Sequence, residues 1–139
     1  MTAVVEGAGP EASFGVSIVL PFEPGGSQHA ALFDGKNINF RYFFSRKLTL
    51  TKESSGYVVF PGGFGTLDEL SEVLVLIQTE KVHRFPVFLL DRGYWEGLVR
   101  WLAFLRDQKA VGPEDLGLFR LLDEPEEVVQ ALKAEAPPR

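Results

Sequence analysis

Residues 57–77 read YVVFPGGFGTLDELSEVLVLI, and the clearest secondary-structure pattern of the chain begins here. Its first four residues are apolar and partly β-branched, which predicts a short buried strand. The tight glycine loop PGGFG follows at 61–65. From Thr66 to about Lys81 the apolar residues recur at helical spacing. The stretch therefore predicts a strand, a glycine loop and a helix in direct succession.

The same alternation continues downstream. The segments there are predicted as a strand at 86–90, a helix from about Tyr94 to Gln108, a loop at 111–117, a strand near 118–122 and a helix that starts near Pro125. Strands that alternate with helices are typical of a parallel, doubly wound sheet. Ligands of such sheets bind where a strand ends and a helix begins, which is the position of PGGFG.

The pattern upstream of residue 57 is less regular. It predicts a short helix within 1–12, a strand at 14–20, a loop at 21–35, a strand at 37–42 and a helix at 43–54. With 139 residues the chain has the size of one domain, so we expect a single α/β domain over 1–139.

Composition narrows the class of protein. The chain is 45% hydrophobic and 24% charged, as in ordinary globular proteins, and its net charge of -5 argues against nucleic acid as a partner. No apolar run reaches the roughly 18 residues that a membrane helix needs, and the first residues do not read as a signal peptide. There is no cysteine, which excludes disulfides, thiolate metal sites and a cysteine nucleophile. We expect a cytoplasmic protein without a membrane partner.

The glycine loop has the chemistry of an anion site. Gly62, Gly63 and Gly65 let the backbone approach a ligand without obstruction by Cβ atoms. The loop leads into a helix N-terminus, where free N–H groups suit a phosphate. Thr66 can add a hydroxyl donor. These residues are candidates for binding a phosphate group.

A purely structural alternative uses the same residues. Thr66 and Glu69 match the capping box S/T-x-x-E, in which Thr66 caps the helix and Glu69 reaches back to its N–H. Asp68 and Glu69 would then lie in the first turn and favour the helix dipole. They would also repel a nearby phosphate, so a site here would be bipolar. A ribosyl phosphate whose glycosidic bond breaks has that character, because its ring becomes oxocarbenium-like.

A second constellation is Arg46-Lys47. The planar guanidinium of Arg46 can bind a phosphate or a leaving base. The alternative is a solvated surface pair. Arg41 is a weaker candidate for the same role.

Several aromatic and histidine side chains allow two interpretations. Four aromatic residues precede Arg46, namely Phe40, Tyr42, Phe43 and Phe44. They either line a base pocket or belong to the core, and aromatics beside a strand more commonly belong to the core. Trp95 and Trp101 are expected to pack against the sheet or a partner subunit. His29 and His83 are expected at the surface.

PGGFGTLDE, residues 61–69, matches P-G-G-x-G-T-x-x-E, the hallmark of the Lonely Guy family. Arg46-Lys47 matches the Arg-Lys pair of that family. FPGGFGTLDELSEVLVLIQTEK and PVFLLDRGYWEGLVRWL resemble its bacterial branch. The chain is therefore similar to this family over most of its length.

The resemblance implies a Rossmann-like fold, usually dimeric or a higher homo-oligomer. It implies hydrolysis of the N-glycosidic bond of nucleoside 5'-monophosphates, typically cytokinin ribotides or AMP, to a free base and ribose 5-phosphate. It makes Arg46 and Glu69 the catalytic pair and assigns substrate binding to Lys47, Gly62, Gly63, Gly65 and Thr66. No cofactor and no metal is implied. Members have been labelled lysine decarboxylases, but the sequence has no motif for a pyridoxal phosphate lysine.

The family pattern begins with a longer βαβ portion whose glycine-rich turn ends in a Pro-Gly-Ile-Met type sequence. This chain aligns from the Met of that turn, which predicts an N-terminally shortened sheet and the C-terminal portion of the family domain. Two alternatives to a hydrolase are compatible with the sequence. One is a non-catalytic nucleotide or molybdenum-cofactor carrier, and the other is an inactive interaction fragment.

Overall fold

The computed structural model describes residues 2–19 and 36–135. The chain divides into two compact units, Met1–Glu53 and Ser54–Arg139, which are described in turn. The predicted loop at 21–35, with His29, lies outside the described residues. No helix within the described ranges is long and apolar enough to cross a membrane.

The N-terminal unit pairs two short strands. Its elements are α1 (Thr2–Ala8), a 3-10 helix (Pro10–Ala12), β1 (Gly15–Ile18), β2 (Asn37–Phe40) and α2 (Phe43–Lys52). β1 and β2 are parallel, with Gly15 opposite Asn37 and Ile18 opposite Phe40. Over residues 2–19 and 36–53 the predicted helix, strand, strand and helix are all present. The helix predicted at 43–54 forms despite its threonines.

The C-terminal unit contains a three-stranded parallel sheet in the order β3-β4-β5. Its elements are β3 (Tyr57–Val59), α3 (Phe64–Gln78), β4 (Val87–Leu90), α4 (Arg92–Asp107), a 3-10 helix (Pro113–Gly117), β5 (Arg120–Leu122) and α5 (Pro125–Glu135). Tyr57 lies opposite Val87, and Phe88 opposite Arg120. The α/β class and the parallel strands are confirmed and agree with a Rossmann-like fold. Most of the predicted loop at 111–117 is helical instead, because Pro113 opens a 3-10 turn.

The core of the C-terminal unit lies between the sheet and its connecting helices. Leu70, Val73 and Ile77 recur three and four residues apart, so they form one buried stripe along α3. They belong to one apolar cluster with Val87, Leu89 and Trp95. Phe88 is fully buried outside that cluster, because alternate side chains of a strand point to opposite faces. The central strand is thus covered on both faces, as expected for a strand inside an α/β domain.

The two tryptophans of α4 have different environments. Trp95 is 1% exposed and belongs to the core, which confirms its predicted packing against the sheet. Trp101 is 55% exposed. Six residues turn an α-helix by about 240° beyond a full turn, so the two side chains cannot share one face. Contact of Trp101 with a partner subunit stays a prediction.

Candidate functional site

The three strands of the C-terminal unit end at one edge of the sheet, because they are parallel. β3 runs into Phe60-Pro61-Gly62-Gly63, β4 into Asp91 and β5 into Asp123. The backbone N–H of Asp91 donates to the carbonyl of Leu122 at 3.0 Å, which joins the second segment to the third. This edge is where α/β sheets bind ligands.

α3 begins two residues earlier than the sequence predicted. Gly63 is the N-cap residue, Phe64 is the first helical residue, and the N–H of Leu67 donates to the Gly63 carbonyl at 3.0 Å. The tight loop predicted to extend to Gly65 therefore ends at Gly63. Helix geometry leaves the N–H groups of Gly63 to Thr66 without a partner inside the helix. The motif thus presents an array of backbone donors at the positive end of the helix dipole.

The capping-box alternative is wrong in the form predicted. Thr66 is the third residue of α3 and not its cap, because the N-cap is Gly63, which has no side chain to accept a bond. The prediction that Asp68 and Glu69 lie in the first turn is also wrong, for the same reason. Glu69 lies one turn beyond Thr66 and is half-buried, whereas Asp68 is exposed. The S/T-x-x-E pattern at Thr66 and Glu69 therefore does not mark the first residues of this helix.

The glycines of the motif have different surroundings. A Cβ atom on Gly62 would lie only 2.8 Å from the Cβ of Thr66 and closer still to its hydroxyl, so this position requires glycine for packing. Added Cβ atoms at Gly63 and Gly65 would meet nothing within 4 Å in the described structure. Open space beside the free N–H groups leaves room for a ligand at those two positions.

Tyr94 is a contributor to this edge that the sequence analysis did not identify. Its hydroxyl donates a 2.7 Å hydrogen bond to the carbonyl oxygen of Gly62, and its ring packs edge-on against Trp95 with centroids 5.0 Å apart. Asp91 caps α4, because its carboxylate accepts from the Tyr94 N–H at 3.1 Å. The available signal was positional, since Tyr94 lies in the first turn of a helix that follows a buried strand, as Phe64 does.

Arg92 and Asp123 link the last two segments of the edge. The backbone N–H and Nε of Arg92 reach the Asp123 carboxylate at 2.8 and 3.3 Å. Both side chains are about half exposed, so this ion pair contributes little net stability. The helix start predicted near Pro125 is confirmed, and Asp123 before it has a structural partner.

Arg46 and Lys47 lie in the first turns of α2 in the N-terminal unit. Both are half-buried, and Nε of Arg46 donates to the carbonyl of Val16 in β1 at 3.0 Å. The alternative of a fully solvated surface pair is therefore wrong. The bond to β1 fixes the base of the guanidinium, which restricts where its two NH2 groups can point.

The aromatics before Arg46 are mostly outside the core. Tyr42, Phe43 and Phe44 are exposed, and Phe40 is half-buried. Tyr42 and Phe44 stack with centroids 5.8 Å apart, and the guanidinium of Arg41 lies 5.7 Å from the Tyr42 ring. The core interpretation is therefore wrong for the three exposed rings, because they sit at the outward start of a helix. A role in binding a base stays a prediction.

The structure brings part of the predicted site together. The loop glycines, Thr66 and Glu69 are contiguous at the start of α3 in the C-terminal unit, whereas Arg46 and Lys47 belong to the N-terminal unit. Among the described residues no group of three His, Cys, Asp or Glu side chains could hold a metal ion. His83 is exposed, as predicted.

Comparison with known proteins adds independent findings. The model of the family described as "possible lysine decarboxylase" matches residues 1–132. A probable cytokinin riboside 5'-monophosphate phosphoribohydrolase of Oryza sativa subsp. japonica is 31% identical over 93 residues, which cover 66% of this chain and 37% of that protein. A cytokinin riboside 5'-monophosphate phosphoribohydrolase of Arabidopsis thaliana is 33% identical over 93 residues, 66% of this chain and 40% of its own. A second probable enzyme of this name from Oryza sativa subsp. japonica is 43% identical over 61 residues, 43% and 23% of the two chains. The matched segment spans 40% or less of each relative.

Proposed function

Because the chain belongs to the family described as possible lysine decarboxylase, the Lonely Guy family predicted from its motif, we propose that it hydrolyses nucleoside 5'-monophosphates. The bond broken is the N-glycosidic bond, and the products are a free base and ribose 5-phosphate. The names of the relatives specify a phosphoribohydrolase that acts on cytokinin riboside 5'-monophosphates. Cytokinin ribotides and AMP are the proposed substrates.

The observation that carries this proposal is the start of α3. The backbone N–H groups from Gly63 to Thr66 have no acceptor within the helix, and Cβ atoms added at Gly63 and Gly65 would meet nothing within 4 Å, so this helix end can hold a 5'-phosphate without a positively charged side chain. The Thr66 hydroxyl lies beside Gly62 and adds a donor at the same end of the helix. A phosphate held there would fix the ribose close to the second turn of the helix.

Glu69 is the proposed catalytic carboxylate. It lies three residues after Thr66, so both side chains project from the same side of α3. A half-buried carboxylate one turn from the phosphate stabilises positive charge that develops at C1' of the ribose. The same carboxylate can orient the attacking water and accept its proton.

Arg46 and Lys47 supply the cationic side of the mechanism. A guanidinium can neutralise the phosphate or donate to the departing base, and Lys47 adds a second positive charge for substrate binding. Support comes from the half-buried position of both residues and from the bond that orients Arg46 on β1. We assign Arg46 to catalysis and Lys47 to binding.

The setting of the reaction is also proposed here. We expect a homodimer or higher homo-oligomer, since two-fold association is the default for such proteins. The net charge of -5 disfavours nucleic acid, and the absence of cysteine from the sequence suits the reducing cytoplasm.

The test compares Glu69→Gln with the matched variant Asp68→Asn. Each replaces one carboxylate by an amide, but Asp68 is exposed and is not a fixed position of the family motif. Glu69→Gln should lower kcat by about 100- to 10,000-fold, the usual contribution of a general acid or base, and Asp68→Asn should keep it. Arg46→Ala should lose turnover by about 100-fold or more.

Calorimetric titration with a nucleoside 5'-monophosphate separates catalysis from binding. A Glu69→Gln protein that binds the nucleotide but does not cleave it supports the assignment. Normal turnover in that variant would remove Glu69 from the mechanism. Tight binding with no turnover in the unmodified chain would favour the carrier.

A further inference from the structure

Tyr94 connects two of the strand ends described above. It lies in the first turn of α4, after β4, and its hydroxyl reaches across to the Gly62 carbonyl, after β3, at 2.7 Å. We propose that Tyr94 is a positioning residue, which sets the orientation of the Gly62–Gly63 peptide so that the Gly63 N–H can bind the substrate phosphate. The inference rests on the proposed function, because it assigns a role within the same phosphate site.

The Gly62 carbonyl and the Gly63 N–H belong to a single peptide group. In a planar trans peptide the carbonyl of one residue and the N–H of the next point in opposite directions. When the Gly62 carbonyl points to Tyr94, the Gly63 N–H must point away from it. Gly63 is the N-cap of α3, so its N–H is one of the four that the helix leaves unpaired.

This peptide is unusually free to turn over. Rotation of its plane by about 180° changes only the inner dihedral angles of Gly62 and Gly63, and glycine tolerates both signs of φ. The turned-over peptide would direct a carbonyl oxygen, instead of a donor, to the side on which a phosphate binds. A hydrogen bond that holds the carbonyl on the opposite side therefore selects the binding-competent orientation.

Tyr94 is well placed to serve as that anchor. Its ring packs edge-on against Trp95, which is buried in the core, and its backbone N–H is held by the Asp91 cap. The hydroxyl thus projects from a position fixed at two points, and little side-chain entropy remains to be lost. The side chain is itself half exposed, so it contributes little to the core, and the bond to Gly62 is its main polar contact.

Tyr94→Phe tests the proposal, because it removes only the hydroxyl and keeps the ring. A single neutral hydrogen bond is worth a two- to tenfold change in an equilibrium, so KM for a nucleoside 5'-monophosphate should rise by about that factor. The kcat should change much less, since a phosphate held equally in the ground and transition states affects KM alone. Trp101→Phe, which trims an exposed aromatic of the same helix, is the matched control and should leave both constants unchanged.

Inorganic phosphate distinguishes the positioning role from a structural one. Phosphate should shift the amide resonance of Gly63 in the NMR spectrum of the unmodified chain, and about two- to tenfold more phosphate should be needed in Tyr94→Phe. The affinity for the corresponding unphosphorylated nucleoside should stay as it is, and the melting temperature should fall by no more than the few degrees that one hydrogen bond is worth. A structural role would instead weaken both ligands together.

The outcomes separate this inference from the proposed function. Phosphate binding at Gly63 that weakens in Tyr94→Phe, in a chain that cleaves no nucleotide, would support the positioning role and remove the hydrolase assignment. Nucleotide cleavage with equal phosphate affinity in both proteins would do the reverse. A Gly63 resonance that does not respond to phosphate in the unmodified chain would overturn the positioning role.

Discussion

Gly62 and Gly63 are adjacent in the chain, but their surroundings differ, so glycine is required at the two positions for different reasons. Gly62 packs against Thr66 so closely that a methyl group would overlap it, whereas Gly63 faces open space. The sequence motif marks both as necessary but does not reveal why, because packing and ligand approach both select glycine. The structure distinguishes packing from ligand approach, because the Thr66 side chain lies beside Gly62 and nothing lies within 4 Å of a Cβ atom built on Gly63.

Gly62→Ala and Gly63→Ala should therefore fail in different ways. The first forces the Thr66 side chain or the start of α3 to move, and overpacking of this kind costs about 1–3 kcal/mol of unfolding free energy. The second puts alanine, a poorer N-cap residue than glycine, at the start of α3, so it should lower the melting temperature less than the first does and should weaken nucleotide binding. Thermal denaturation and nucleotide titration of both variants check this. Equal melting temperatures for the two would show that the Gly62–Thr66 contact is not needed for stability.

The start of α3 shows how far an element can be predicted from its own residues. The spacing of the apolar residues correctly predicted that this helix forms and which of its faces is buried. Its first residue was placed at Thr66 because that residue matches a capping signature, but the helix begins at Phe64 with an N-cap glycine. Glycine also occurs at N-caps, and the choice depends on where β3 releases the chain, which local sequence does not encode.

α4 has the opposite kind of start, with a side-chain cap. Asp91 takes a left-handed conformation with φ 80° and accepts the Tyr94 N–H. Asp91→Ala removes the acceptor and puts a Cβ-bearing residue without a compensating bond in that conformation, so it should cost about 1–2 kcal/mol of unfolding free energy. Asp91→Asn keeps an acceptor, and asparagine tolerates the same conformation, so this variant should lose only about a few tenths of a kcal/mol of unfolding free energy. Urea denaturation of the two variants measures the difference, and an equal loss in both would contradict the capping role.

Across the whole chain, the class of fold followed from the alternation of strands and helices, and the structure confirms it. The contacts between side chains at the ends of the strands could not be predicted from this alternation. The bond from Tyr94 to Gly62 and the pair formed by Arg92 and Asp123 join residues about 30 positions apart in the chain, so no local pattern signals them. The proposed site residues were assigned through the family motif, which carries chemistry that periodicity alone does not.

In the proposed mechanism, which concerns the whole site, a 5'-phosphate on the amides of α3 places the ribose beside Glu69. This mechanism therefore predicts that the phosphate is required for cleavage and not merely for solubility of the substrate. Nucleotides and their unphosphorylated nucleosides differ only in the group that this helix end is proposed to hold.

The most direct measurement is the release of free base and ribose 5-phosphate by this chain from paired substrates, each nucleoside 5'-monophosphate beside its nucleoside. The proposed mechanism predicts equal molar amounts of base and ribose 5-phosphate from a cytokinin ribotide or AMP, and at least about 100-fold slower cleavage of the nucleosides, because the hydrogen bonds that hold the phosphate are worth about a few kcal/mol. A folded chain that releases no ribose 5-phosphate, or that cleaves nucleosides as fast as nucleotides, would contradict it.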